Sequence, residues 1–196
     1  TNVTWDFVEL PSQFMENWLL EKSVFFSIAK HGISGESFPA ATYDKLVESQ
    51  KFMAGWSSLS QVQYGLLDLG WHRIQGGLAK ESAEEPVAFE RRVMAPTFIL
   101  PPVEGTCIST FFQHIFAGGY SAGYYSYKWA EVLDADAFEH FESHGLFNAK
   151  IAQSFYENIL SKGNSDDAMA LYKKFRGSEP DPDALLRRSG LIERVK

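Results

Sequence analysis

Apolar and aromatic residues along this chain recur mostly at intervals of three and four. That spacing stacks side chains on one face of a helix, and no alternating strand pattern competes well with it. After Pro11, the positions Phe14, Trp18, Leu19, Val24, Phe25 and Ile28 keep this rhythm as far as Gly32 and predict a long first helix with room for a bend. Residues 40–52 and 57–75 repeat it, the second stretch with Val62, Leu66, Leu67, Leu69 and Trp71. The charged run from Lys80 to Glu85 ends in Pro86 and reads as a solvated connection or a helix start. Pro96, Pro101 and Pro102 lack an N–H donor and push the residue before them to extended geometry, so this stretch is a connecting loop. A short helix is expected over 106–116, a flexible corner at Gly118 and Gly119, and a restart of helix over 121–141. Three further helices follow over 147–160, 166–175 and 183–188, separated by Gly163 and by Pro180 and Pro182. The predicted fold class is all-α, with no internal repeat and no low-complexity segment.

Composition narrows the possible functions. With 196 residues, 45% of them hydrophobic and 15% aromatic, the chain can bury a real core as one domain. Twenty-five acidic against 18 basic residues give a net charge of -7, which argues against nucleic acid or an anionic membrane as partner. Cys107 is the only cysteine, so there is no internal disulfide and no CxxC metal site; a reducing cytoplasm fits best. No apolar run approaches the roughly 18 residues of a membrane span, and no signal-peptide layout opens the chain, so a soluble protein is expected. The sequence begins at Thr1, without methionine, inside a segment that already reads as structured. This points to a piece of a longer protein, with methionine removal as the plain alternative.

Two constellations could carry chemistry. In the first, Asp6 and Glu9 precede an apolar helical run. Asp at a helix N-cap with Glu three residues on is a capping arrangement that satisfies otherwise orphaned amides; the functional alternative makes Glu9 a metal ligand and Asp6 an acceptor that orients a ligand histidine. The second runs from His114 to Val132. Continuous helix would put Tyr120, Tyr124, Tyr127 and Glu131 on one face, with Tyr125, Trp129 and Val132 on the core side. Aromatic stripes are usually packing. Here a histidine just before a double glycine, followed by several phenols, also sets polar donors around a corner, as a developing oxyanion requires. His140 and His144, four apart in HFESH, lack the HExxH order and precede Gly145, so a metal role there is disfavoured. His31 reads as a helix C-terminal residue and His72 as a partly packed polar one.

The two constellations together resemble the thimet oligopeptidase family of zinc peptidases, in its oligopeptidase A and peptidyl-dipeptidase branches. DFVELPSQFMENW resembles the block after the family's HExxH helix, and HIFAGGYSAGYYSYKWAEVLDADAF its glycine- and tyrosine-rich active-site loop. ENILSKGNSDDAMALYKKFRGSEPDPDALLRRSGL is similar to the family's C-terminal close, so the likeness covers nearly the whole chain. The resemblance implies that Glu9 is a zinc ligand with Asp6 behind it, and that His114, Tyr120 and Tyr127 stabilise the tetrahedral intermediate. Tyr124, Gly118 and Gly119 would contact substrate. It also implies Zn2+ as cofactor, short peptides as substrates and a deep channel that excludes folded proteins. No HExxH occurs in this sequence. Two zinc ligands and the general base are therefore expected upstream of Thr1, and this chain alone is expected to be inactive. The rival reading is a helical peptide-binding or interaction module without catalysis.

Overall fold

A computed structural model describes residues 2–75 and 84–193 of the chain. In chain order the helices are α1 Trp5–Val8, α2 Leu10–Leu20, α3 Lys22–Ile28, α4 Ala40–Ser49, α5 Ala54–His72, α6 Pro86–Met94, α7 Gln113–Phe116, α8 Ser126–His144, α9 Ala149–Phe155, α10 Ala168–Arg176 and α11 Pro182–Arg188. Short 3₁₀ turns occupy Ala95–Thr97 and Ile108–Thr110, and a π-helical turn, Tyr156–Leu160, extends α9. Among the described residues the extended component is one isolated antiparallel bridge, Lys30 to Ser37. The fold is all-α. Two compact units divide the chain, one made of Thr1–Ala54 with Trp129–Lys196 and the other of Gly55–Lys128.

The first unit is organised by aromatic residues. Phe7, Leu10 and Phe14, spaced by three and four, are all buried on one face of α1 and α2. Phe14 stacks on Phe155 at 4.4 Å between centroids, and Phe138, Phe141 and Trp18 close around it at 6.4, 5.3 and 5.4 Å. Each such side chain removed from water contributes about 1.5–3 kcal/mol. Tyr172 is fully buried in the same cluster, where its hydroxyl donates to Asp136 Oδ2 at 2.7 Å. Asn148 caps α9 by accepting from the amide of Lys150 at 3.0 Å, and Asp167 caps α10 by accepting from Ala170 at 2.8 Å.

The second unit is smaller. Leu67 of α5, Phe89 and Met94 of α6, Phe112 and Ile115 form its buried core, with Trp71 stacked on Phe89 at 3.9 Å.

Several boundaries differ from the expectation, each for a local reason. The long first helix expected after Pro11 is two pieces, α2 and α3, because the chain leaves helical geometry at Glu21, where ψ is 125°, and the single turn α1 precedes it across Glu9. His31 lies beyond the helix end, in a turn where its Nδ1 accepts from the Ser34 amide at 3.1 Å. Residues 80–83 of the charged connection lie outside the described residues, and α6 starts at Pro86 as its helix-start reading allowed. Instead of one helix over 106–116 there is a 3₁₀ turn and the single turn α7. The helix expected from residue 121 starts at Ser126, because residues 120–125 form turns bonded elsewhere. Tyr125, assigned to the core side, is consequently exposed, whereas Trp129 packs against the aromatic cluster of the first unit.

Candidate active site

In the second unit, α7 carries His114, and the chain after it folds back tightly. The amides of Ala117 and Gly118 both bond to the Gln113 carbonyl, at 2.8 and 2.7 Å, and Tyr120 N–H bonds to the His114 carbonyl at 3.0 Å. A Cβ on Gly118 would lie 2.9 Å from both the Cα and the carbonyl oxygen of His114, so the residue must be glycine for the backbone to pass. Gly119 has φ of +88°, a left-handed value that side chains disfavour. The double glycine is thus a steric requirement of the corner. Ser121 Oγ donates to the Ile115 carbonyl at 2.6 Å and fastens the next residue to α7.

The loop then meets a carboxylate. Asp68, on the buried face of α5, is fully buried. Its Oδ1 accepts from the Ala122 amide at 2.8 Å and its Oδ2 from the Tyr124 amide at 2.8 Å. His72, one turn along α5, places Nδ1 2.7 Å from the same Oδ1. Ala122 is held at φ of 55°, uncommon for a residue with a side chain. Between them, Gly123 N–H returns to the Tyr120 carbonyl at 2.8 Å, and Ser126 N–H bonds to Gly123 at the entry to α8.

This turn gathers the sequence candidates by a different route from the helical face expected of them. His114 lies 6.1, 6.0 and 6.4 Å from Tyr120, Tyr124 and Tyr127, centroid to centroid. Tyr120 stacks on Tyr127 at 5.1 Å, and Tyr124 meets Tyr127 edge-on at 5.3 Å. His114 is exposed and the three tyrosines are half-buried. Tyr124 also packs on Phe112 and Tyr64, at 5.0 and 5.7 Å. Burial first, then the neighbouring Tyr64 and Tyr127, raise its phenol pKa above the ordinary value, so it remains a hydrogen-bond donor at neutral pH. The corner therefore offers an imidazole and several phenols to one small volume.

In the first unit, Glu9 stands at the joint of α1 and α2, half-buried, with φ of -84° and ψ of -10°. The Ser12 hydroxyl donates to the Glu9 carbonyl at 3.0 Å and reaches its Oε2 at 3.3 Å. The capping alternative does not describe this geometry. Thr4, not Asp6, holds the N-cap position of α1, and neither Thr4 nor Glu9 makes a side-chain cap bond. Asp6, half-buried in the first turn, lines a cavity of about 240 Å³ with Phe7, Trp129 and Tyr172.

His140 and His144 face each other at 4.4 Å, and His140 packs edge-on against Phe175 at 5.5 Å. Among the described residues no cluster of three or more His, Cys, Asp or Glu is arranged to hold a metal ion. The sequence reading missed Asp68 and Glu90. Glu90, buried on α6, accepts from the amides of Ile108 and Ser109 at 3.1 and 2.9 Å and from Ser109 Oγ at 2.9 Å. The available signal was an ionisable residue inside an apolar run, LLDLGW for Asp68.

The model of peptidase family M3 matches residues 1–191 of this chain. A probable cytosolic oligopeptidase A of Arabidopsis thaliana is 45% identical over 97% of this chain and 27% of its own length. Oligopeptidase A of Escherichia coli is 42% identical over 97% of this chain and 28% of its own. A dipeptidyl carboxypeptidase of Salmonella typhimurium is 38% identical, again over 97% and 28%. The chain thus spans about a quarter of the length of these relatives.

Proposed function

Because the chain belongs to peptidase family M3, we propose that it supplies one metal ligand and the substrate-facing corner of an intact, zinc-dependent peptidase acting on short peptides. The observation that carries this reading is the convergence of His114 with Tyr120, Tyr124 and Tyr127 on one turn. A half-buried carboxylate at Glu9 fits one ligand of a shared site, and the donors among the described residues do not fit a complete one. The two remaining ligands and the general base would come from an HExxH segment upstream in the same protein. When bound, the metal supplies a Lewis acid and an acidified water.

This chain's own residues then bind and orient. Glu9 would hold the metal, with Asp6 orienting a partner ligand. His114 with Tyr127 or Tyr120 would donate hydrogen bonds to the peptide carbonyl oxygen as it gains charge. Tyr124 and the glycine backbone of the corner would line the bound peptide. Short peptides suit the names of the relatives, which are oligopeptidases and a dipeptidyl carboxypeptidase. The acidic balance gives nucleic acid no purchase, and no helix among the described residues is long and apolar enough to cross a membrane. A cytoplasmic setting accords with the relative named as cytosolic.

The test is steady-state kinetics of the intact enzyme with His114→Ala, Tyr120→Phe, Tyr124→Phe and Tyr127→Phe on one short peptide. Removal of an oxyanion donor is expected to lower kcat by about a hundred- to a thousandfold with little change in KM. Near-normal kcat in all four variants would refute the role of the corner. Glu9→Ala should lower zinc content and turnover together, and a variant with stoichiometric zinc would remove Glu9 from the metal. The chain by itself should hydrolyse no peptide, since one carboxylate cannot replace three ligands.

A further inference from the structure

We infer that Asp68 is the positioning residue of the tyrosine corner, setting where the phenols of Tyr120, Tyr124 and Tyr127 stand by clamping two backbone amides of the loop that carries them. The inference rests on the catalytic reading of that corner given above.

Asp68 is fully buried, where an ionised carboxylate needs partners on both oxygens. It has them: Ala122 N–H on Oδ1 at 2.8 Å and Tyr124 N–H on Oδ2 at 2.8 Å, while His72 Nδ1, hydrogen-bonded to the Asp68 backbone carbonyl at 2.9 Å, lies 2.7 Å from Oδ1. Bonds from amides to an ionised acceptor are the stronger kind. The two amides flank Gly123, so a single planar carboxylate fixes the direction of the chain across three residues. Ala122 sits between this grip and Ser121, itself tied to Ile115, and is held at a φ of 55° that an unrestrained alanine seldom adopts. The chain before the clamp places Tyr120, and the chain after it places Tyr124 and starts α8 at Ser126, which fixes Tyr127. Turn bonds such as Gly123 N–H to the Tyr120 carbonyl and Ser126 N–H to the Gly123 carbonyl curve the loop locally, and the Asp68 carboxylate ties that curve to α5. Asp68 touches no reacting atom; it acts through the tyrosines.

The experiment compares Asp68→Asn, Tyr127→Phe and their combination in the intact enzyme. The asparagine keeps the shape of the side chain but turns an –NH2 toward one of its donors. A loop displaced by about an ångström is expected to lower kcat of Asp68→Asn up to a hundredfold, with KM changed less than kcat and zinc content unaltered. The combined variant should lose far less than the product of the two single losses, because both act on the same hydrogen bond. Amide hydrogen exchange over residues 117–126 should rise in Asp68→Asn while the aromatic core of the first unit exchanges as before. A kcat within about threefold of wild type would overturn the inference, and so would full multiplication of the two losses. Should Asp68→Asn fail to fold, exchange in the wild-type enzyme still decides: Ala122 and Tyr124 amides that exchange as fast as an open loop would show that the clamp is not formed. Failure of the catalytic reading itself looks different, since Tyr127→Phe and its companions would then turn over normally whatever Asp68→Asn does.

Discussion

The two units both bury carboxylates, and they use them differently. In the first unit Asp136 takes a forked pair of bonds from Arg176, at 3.0 and 3.1 Å, together with the Tyr172 hydroxyl. Asp134 there is matched with Arg188 and with Asn17 Nδ2, the latter at 2.8 Å. In the second unit Asp68 and Glu90 take most of their bonds from backbone amides. The difference follows from what each carboxylate lies against. Residues inside a helix have already spent their amides on the carbonyl four positions back, so a carboxylate between helices needs a side-chain cation. Irregular segments leave amides unspent, and a carboxylate can take the place of the missing ladder. Side-chain pairs brace helices against helices; amide clamps give a loop a defined shape.

That contrast can be broken by mutation. Asp136→Ala would leave the Arg176 guanidinium without its carboxylate, while the Tyr172 hydroxyl could still donate to the Leu133 carbonyl at 2.9 Å; a loss of about 3–5 kcal/mol in urea unfolding is expected, with kcat per folded molecule retained. Such a variant that loses turnover at full stability would place function in the first unit's brace. Glu90→Gln should cost about 1–3 kcal/mol, because one of its amide or hydroxyl donors loses an acceptor in a buried site; unchanged stability would mean that the 3₁₀ turn does not need its clamp.

His140 sharpens the contrast through pH. Burial first, and then the charges of Arg176 and His144, hold its pKa below the ordinary histidine value. The unfolded chain therefore takes up the proton more readily than the folded one, so stability is complete above about pH 6.5 and falls as the pH drops below it. His140→Gln should flatten that acid limb in unfolding curves taken between pH 7 and 5, and an unaltered limb would assign it to other groups. Least of all, Asn148→Ala should remove about 1 kcal/mol through the lost cap of α9, seen as a small drop in Tm with no kinetic effect.

Legibility in the sequence divides along the same line. Most helices of the first unit announce themselves, since Phe14 and Trp18, or Leu171, Tyr172 and Phe175, carry their own spacing, whereas the single turn α1 with Phe7 was too short to show a period. Both the all-α class and most helices follow from that. The corner was found by its residue types, His114 with Gly118, Gly119 and the tyrosines, and not by its geometry. Continuous helix from residue 121 would have put Tyr120, Tyr124 and Tyr127 in a row; the structure brings them together through a turn whose shape is imposed from Asp68, 54 and 56 residues away in sequence. Periodicity sees neighbours three and four apart and is blind to such partners. Glu90, 18 residues from the amide of Ile108, escaped for the same reason.

The separation between Asp68 and its loop also has a consequence in time. A chain made at about 5–20 residues per second presents α5 roughly 3–11 s before Ala122 exists. During that interval the Asp68 carboxylate has no amide to bind and must stay hydrated, so the face of α5 that bears it cannot close. Its desolvation waits for the turn, and the turn waits for the carboxylate. The clamp on the corner can form only once Ala122 and Tyr124 exist to supply its amides, so the corner takes its shape together with the burial of the carboxylate that holds it.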